Sequence, residues 1–304
     1  MTEDAAAGQA RRMMIWAALA ACVSTALGGS SFVAIRFLVS QTDPLTVAFL
    51  RNGGAALVLM PLALLYTRRW PTPHDMLAIA VLGTVFFGGF QFMISWALTY
   101  TTSARAALAL TTTPFLTLAV AAMLRIEVPN LRKIAGVALA SAGVAIALWR
   151  TAGAPVDALI GDAIVITAAL VGALYAVLSA RYTRLYPPLT VVALGVTPGA
   201  LFLWLAALVT GADHVTAELS ADGWIVVAWL GIFGAALSYF LWLWALRHTT
   251  PTLVAVAMPA NPLAALLLGA ALLGEPVTTA MIVGFCCVVG GITLTNWQRR
   301  GSRA

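Results

Sequence analysis

Apolar runs and short polar breaks alternate along the whole chain. Runs of about 20 apolar residues match a hydrocarbon core of about 30 Å. They fall at roughly 14–38, 45–66, 75–99, 104–124, 131–149, 159–182, 190–210, 222–246, 252–273 and 277–297. Breaks such as "SQTDP", "TRRWPTPHD", "RTAGAPVD" and "GADHVTAELSADG" separate them, and none is long enough to hold an extramembrane domain. The pattern predicts an all-α membrane protein with ten transmembrane helices. The opening "MTEDAAAGQARR" has the polar start of a signal peptide, but the apolar run continues to about Leu38. That is too long for a signal h-region, so a retained first helix is expected.

The pattern also repeats. "WALTYTTSARAALALTTTP" (96–114) aligns without a gap on "WALRHTTPTLVAVAMPANP" (244–262), an offset of 148. The same offset carries Glu127 to Glu275, Gly136 to Gly284, Gly143 to Gly291 and Trp149 to Trp297. Upstream, "PLTVAFL" (44–50) answers "PLTVVAL" (188–194) at an offset of 144. Each half holds five predicted helices, and an odd number makes the second copy enter the membrane upside down. The expected organisation is two inverted five-helix repeats, 14–149 and 159–297. Secondary transporters are built this way, with a site near the midplane between the halves.

Composition sharpens this picture. Of 304 residues 62% are hydrophobic and 9% charged, where a soluble domain carries about a quarter charged. The net charge of +6 forms no patch, which argues against nucleic acid as a partner. With the N-terminus inside, 13 of the 17 basic residues fall in inside segments, leaving Arg36, Arg51, Arg105 and Arg150 near the other face. The positive-inside rule then puts both termini in the cytoplasm of a bacterial-type inner membrane. Trp16, Tyr66, Trp70, Trp149, Trp224 and Trp297 fall near helix ends, as an interfacial belt requires. Cys22, Cys286 and Cys287 lie in apolar runs and suggest neither disulfides nor a metal site.

Candidate chemistry is sparse. Pro114 and Pro262 interrupt the fourth and ninth predicted helices at matching positions, with Pro259 a turn earlier in the latter. A mid-helix proline frees a carbonyl, so these breaks either line a site with Thr112 and Asn261 or only kink the helices for packing. Gln91 and Ser95 share a helix face, as do Tyr175 and Ser179, and Tyr239 stands where the offset places Gln91, close to Trp242. Such groups face the bundle interior rather than lipid; they bond helix to helix or line a cavity. No acidic or basic side chain is expected at a helix centre. Arg51 and Arg105 are expected close to the outer surface. No acid, base and nucleophile constellation exists for an enzyme, and no cofactor or metal ligand set is visible. Between His248 and Arg299 the only formal charge is Glu275. Paired with Glu127 and followed by Pro276, it reads as a cap of the helix that follows, rather than a proton carrier.

The segments "RIEVPNLRKIAGVALASAGV" (125–144) and "LGEPVTTAMIVGFCCVVGGI" (273–292) resemble the repeated signature of the EamA family, in the drug/metabolite transporter superfamily. They share a Glu at the helix connection, a Gly nine residues on and another seven further. "SSFVAIRFL" and "DPLTVAFLR" are similar to the family's first-helix and second-helix opening. The resemblance implies ten helices, cytoplasmic termini and a cavity formed mainly by helices 1, 3, 4, 6, 8 and 9. It also implies alternating access and, in bacteria, frequent export of amino acids. The aromatic interior is most similar to the aromatic-amino-acid exporter branch. The expectation is a monomeric exporter of neutral, aromatic or large apolar amino acids, with a small-molecule solute and the lipid bilayer as its partners. A multidrug exporter of apolar amines and a non-transporting receptor or scaffold are the alternatives.

Overall fold

The computed structural model describes residues 3–125, 131–148, 157–211, 219–248 and 257–296, and its regular structure is helical throughout these residues. We number the rods α1 (Glu3–Leu38) and α2 (Pro44–Tyr66), then α3, which joins Pro73–Gly83, a π-helical segment Thr84–Phe90 and Gln91–Ala97. Rod α4 consists of Ser103–Leu110 and Thr113–Met123, and α5, α6 and α7 are Leu131–Leu148, Ala158–Leu185 and Pro188–Thr210. Rod α8 joins Ala221–Trp229, a second π segment Leu230–Leu237 and Ser238–His248; α9 is Ala260–Leu273 and α10 is Thr279–Asn296. Among the described residues seven of these (α1–α4 and α6–α8) are long and apolar enough to cross a membrane, and α5, α9 and α10 are shorter apolar helices.

Local chemistry sets the ends. Asp43 accepts the Leu45 N–H at 2.7 Å, and Pro44, which has no N–H to satisfy, occupies the first helical turn of α2. Thr72 with Pro73 starts α3 in the same manner, and Ser220 accepts the Gly223 N–H at 3.0 Å to start α8. Gly211 and Gly274 close α7 and α9 with left-handed φ of 67° and 65°, a conformation that costs glycine little.

Two features differ from the sequence-based expectation, and one agrees with it. Rod α1 begins at Glu3, ahead of residue 14, because "EDAAAGQARR" continues the helix. The fourth helix is interrupted where Pro114 predicts, at Thr111 and Thr112, because the proline removes a donor from the next turn. The third and eighth helices each contain a π segment that no proline announces, and the offset of 148 places Thr84–Phe90 over 232–238.

Small residues bring backbones close. Rods α5 and α10 cross where a Cβ on Gly143 would lie 2.7 Å from Gly284 O, and one on Gly291 would lie 2.5 Å from Gly136 O. Under the offset of 148 these two contacts exchange. In α3 and α7, a Cβ on Gly83 would fall 2.2 Å from Gly195 Cα, and Gly54 of α2 meets Gly231 of α8 similarly at 3.1 Å. Without water to drive association, such close approach supplies the packing energy. Rod α1 lies against α8 through reciprocal bonds, Ser24 Oγ to Ser238 O at 2.7 Å and Ser238 Oγ to Ser24 O at 2.9 Å.

The α5–α10 seam gives a direct test. Gly284→Leu drives a side chain into the Gly143 carbonyl and the Ala147 methyl and should cost about 1–3 kcal/mol. Gly290→Leu meets only the end of Leu139 at 3.4 Å and should cost far less. Thermal unfolding of the detergent-solubilised variants measures the difference, and equal losses would contradict this seam.

Candidate solute site

Beside the π segment of α3 an aromatic cluster fills the interior. Phe86 stacks on Tyr175 with ring centroids 4.3 Å apart, and Phe87 stands edge-on to Tyr239 at 5.6 Å and to Tyr175 at 5.8 Å. A π segment shifts the phase of the helix by a fraction of a turn, which turns Phe86, Phe87 and Tyr239 inward together. Gln91 Nε2 donates to Tyr239 Oη at 3.0 Å. These residues are 148 apart in sequence, so positions equivalent under the repeat touch each other. Asn52, fully buried on α2, donates to Phe87 O at 2.7 Å, one of the carbonyls within the π segment of α3.

A cavity of about 750 Å³ opens beside this cluster between the ends of α2 and α8 and the start of α7. Its walls are apolar, with Leu59, Leu62, Val192 and Ala236 among them, and Tyr239, Tyr66 and Trp244 add rings. The opposite ends of α2, α3 and α7 are packed: Leu45, Ala48, Leu203 and Ala207 form a closed cluster with Phe49 and Phe92.

The sequence-predicted residues divide. Gln91, Tyr175 and Tyr239 come together, and Ser95 and Ser179 are buried near them; Ser95 Oγ has no protein partner. Trp242 turns to α1 and packs with Ala21, Ala245 and Ala257, while Trp244 lines the cavity. The Thr112 hydroxyl donates to Ala109 O at 2.8 Å, one turn back. Asn261 faces α1, where a Cβ on Gly28 would meet its Nδ2 at 2.9 Å, and its Oδ1 has no partner. Pro114 opens the second segment of α4, Pro259 stands at the N-cap of α9 and Pro262 is buried within it. Glu127 lies outside the described residues.

Two expectations about charge are corrected. Arg51 and Arg105, expected close to the outer surface, are both buried, 7% and 1% exposed; Arg105 sits in the first turn of α4, whereas Arg51 stands eight residues past the Asp43 cap of α2. Arg105 forms an ion pair with Asp162, which sequence reasoning passed over because it falls in the first turns of α6. Thr101 Oγ1 donates to Asp162 Oδ1 at 2.9 Å, and Arg105 Nη2 donates to Leu148 O at 2.7 Å. Glu275 does not cap the helix that follows it, since α10 starts only at Thr279. Its Oε1 accepts the Ser103 N–H and hydroxyl, both at 2.9 Å, and its Oε2 the Ala104 N–H at 3.4 Å. The carboxylate thus satisfies the first free amides of α4, in the other half of the chain, and Thr102 takes the next, from Arg105. The signal in the sequence was "TTSAR", an N-cap pattern that lacks an acid of its own.

Long apolar helices, a polar-edged aromatic interior and an adjoining cavity define a multi-pass membrane protein built to handle a small solute. The model of the EamA-like transporter family matches residues 15–149 and again 159–297, so the chain belongs to that family. It is a membrane transporter and not an enzyme. It is 28% identical over 293 residues to an uncharacterized transporter of Archaeoglobus fulgidus, covering 93% of this chain and 94% of that one. It is 25% identical over 276 residues to the uncharacterized inner membrane transporter YedA of Escherichia coli, covering 88% and 86%. The uncharacterized transporter YyaM of Bacillus subtilis is 23% identical over 270 residues, covering 87% and 88%. A solved crystal structure superposes with a TM-score of 0.64 at 20% identity, over 94% of this chain and 96% of that one, which shows the shared fold.

Two substitutions test the polar clasps. Asp162→Asn leaves the buried Arg105 guanidinium without its counter-ion and should cost about 3–5 kcal/mol, whereas the Arg105→Gln, Asp162→Asn double variant should recover part of that loss. Glu275→Ala should cost about 0.5–2 kcal/mol as a lost cap, and Glu275→Gln, which keeps one accepting oxygen, clearly less. Unfolding midpoints in detergent measure both series.

Proposed function

We propose that this protein is an inner-membrane exporter of neutral amino acids with aromatic or large apolar side chains. It works by alternating access between two inverted five-helix repeats, 14–149 and 159–297, that place ten helices across the bilayer with both termini in the cytoplasm. The observation that carries the reading is the Gln91–Tyr239 bond, where equivalent positions of the two halves meet within an aromatic cage. Its support comes from the exchange of contacts between α5 and α10 and from π segments at matching positions in α3 and α8. Discontinuous helices in corresponding positions mark the binding region of repeat-built transporters.

The two faces are not in the same state, and this fits alternating access. The walls of the cavity, the ends of α2 and α8 and the start of α7, correspond by the repeat to the ends of α7 and α3 and the start of α2. The first set is parted around about 750 Å³ and the second is packed around Leu45 and Leu203. Read with the positive-inside orientation, this is an inward-facing arrangement that admits solute from the cytoplasm.

Among the described spans, the carboxylates Asp162 and Glu275 are engaged by Arg105 and by α4. Neither is free to cycle a proton, so flux should not depend on a pH gradient. Counterflow in proteoliposomes with a labelled amino-acid panel, alongside lipophilic amines, tests the reading. Phenylalanine, tyrosine, tryptophan or leucine should exchange without an imposed gradient, and Gln91→Ala, Tyr175→Ala and Tyr239→Ala should each lower flux at least several-fold. Exchange of amines alone would favour a multidrug exporter, and untouched flux in all three variants would place the site elsewhere.

A further inference from the structure

The buried arginines of the molecule are treated in opposite ways. Arg105 has an acid, Asp162, and a carbonyl, Leu148 O, although its Nε and Nη1 meet no protein acceptor. Arg51 is also buried, but among the described residues no carboxylate reaches it. Its Nη2 makes one long bond, 3.4 Å to Gly234 O, and its Nε and Nη1 meet no protein acceptor. Eight residues past the Asp43 cap, it stands about 12 Å along α2, well inside the bundle. A guanidinium at that depth is stable only with a partner, because desolvation of an unpaired charge is not repaid by packing.

Position says what the partner would be. The guanidinium carbon lies 5.9 Å from the centroid of the Tyr239 ring, and Tyr239 forms the inner end of the apolar cavity. On α2, Arg51 precedes the cavity-lining residues Val58 and Leu62 by seven and eleven residues, so the three share one helix face. The apolar slot therefore reaches the Tyr239 ring, and the Arg51 guanidinium, which no carboxylate among the described residues pairs, is buried against that ring rather than on the cavity wall itself. A molecule that engages both has an apolar or aromatic body and a carboxylate at one end. Guanidinium binds that group through two parallel hydrogen bonds, from Nη2 together with either Nε or Nη1. Arg51 Nε and Nη1 have no protein acceptor, and the single long Gly234 bond leaves Nη2 a second hydrogen to donate. Gly234, whose carbonyl also accepts the Ser31 hydroxyl at 3.2 Å, holds Nη2 in place.

Building on the transport reading above, we propose that Arg51 is the carboxylate anchor of the solute site. The substrate class is then apolar or aromatic carboxylates: the carboxylate is required, and the amino group is dispensable. Apolar amines lacking the acid are excluded, because an ammonium group would face the guanidinium.

The test uses purified full-length protein in phosphatidylcholine vesicles and four solutes sharing a phenyl ring: phenylalanine, 3-phenylpropionate, phenylalaninamide and phenethylamine. Scintillation-proximity competition reads binding, and counterflow reads flux separately. Phenylalanine and 3-phenylpropionate should bind at least tenfold more tightly than the amide and the amine. Arg51→Gln should abolish that preference, and Arg51→Lys should restore part of it. Size-exclusion profiles of both variants report folding. Should Arg51→Gln fail to fold, loss of bidentate preference in Arg51→Lys, at least threefold, is the decisive measure. Equal binding of all four by the wild type, binding of none, or an unchanged preference in folded variants would overturn the anchor. Carboxylate-selective binding without counterflow would instead overturn the transport reading and leave the anchor standing.

Discussion

Inside a bilayer a polar group has no water to fall back on, so each must find its partner within the protein. Most of the polar groups here do so on one face of the bundle. The α3–α4 connection is tied to α6 by the bond from Thr101 to Asp162, and the Arg36 guanidinium donates to the Leu98 carbonyl. Ser103 and Ala104 are held by Glu275, and Gln41 accepts from Ser220 across the α1–α2 and α7–α8 connections. Polar atoms without a protein partner occur on both sides of this division: Arg51 Nε and Nη1, Asn52 Oδ1, Ser95 Oγ, Thr197 Oγ1 and Asn261 Oδ1, and also Nε and Nη1 of Arg105 beside its ion pair.

The same sequence pattern is read out in two conformations within one molecule. Apolar side chains of similar size line both ends of the α2–α7 pair, yet at one end Leu45, Leu203 and Phe92 interdigitate and at the other the corresponding walls stand apart. Interior packing is close to all-or-none, because a gap of even 1 Å forfeits much of the dispersion energy. Two halves joined by such surfaces prefer one end shut and the other open over two ends half closed. Glycine contacts at Gly83–Gly195 and Gly54–Gly231 keep α3 on α7 and α2 on α8 at backbone distance on either side of the central rings.

The all-helical membrane fold and the transporter family were legible because each rests on long stretches of pattern: twenty-residue apolar runs and strings that match the family along the chain. Gln91, Tyr175 and Tyr239 were legible because polar groups in such runs must turn inward. The π segments were not, since their cause is the mutual fit of Phe86, Phe87 and Gly88 against α6 and α7, with no proline to mark them. Arg51 was misplaced because its charge suggested an interface, although its distance from the Asp43 cap gave its depth. Asp162 and Glu275 have partners 57 and 172 residues away, and no local reading of a single sequence joins positions so far apart. Trp242 and Trp244 differ by two positions, and only the packed helix decides which of them reaches the cavity.

Those distant pairings also say which parts can move. Rod α4 is bound at its start to α6 through the Arg105–Asp162 pair and to the α9–α10 connection through Glu275, whose carboxylate sits against Gly269 of α9. Separating any of these exposes either a buried ion or a row of unpaired helix amides to hydrocarbon, each a penalty of several kcal/mol. A rearrangement that opens this face at lower cost keeps α4, α6, α9 and α10 together. It shifts instead α2 and α7 with the last turns of α3, which meet there mainly through the apolar cluster of Leu45, Leu203 and Phe92. It must also break the Thr101, Arg36 and Gln41–Ser220 bonds of the connections. Rods α2 and α7 wall the cavity at one end and form the closed cluster at the other. The strongest interactions in the molecule therefore define the frame, and the weakest, most reversible ones lie along the path that a solute would take.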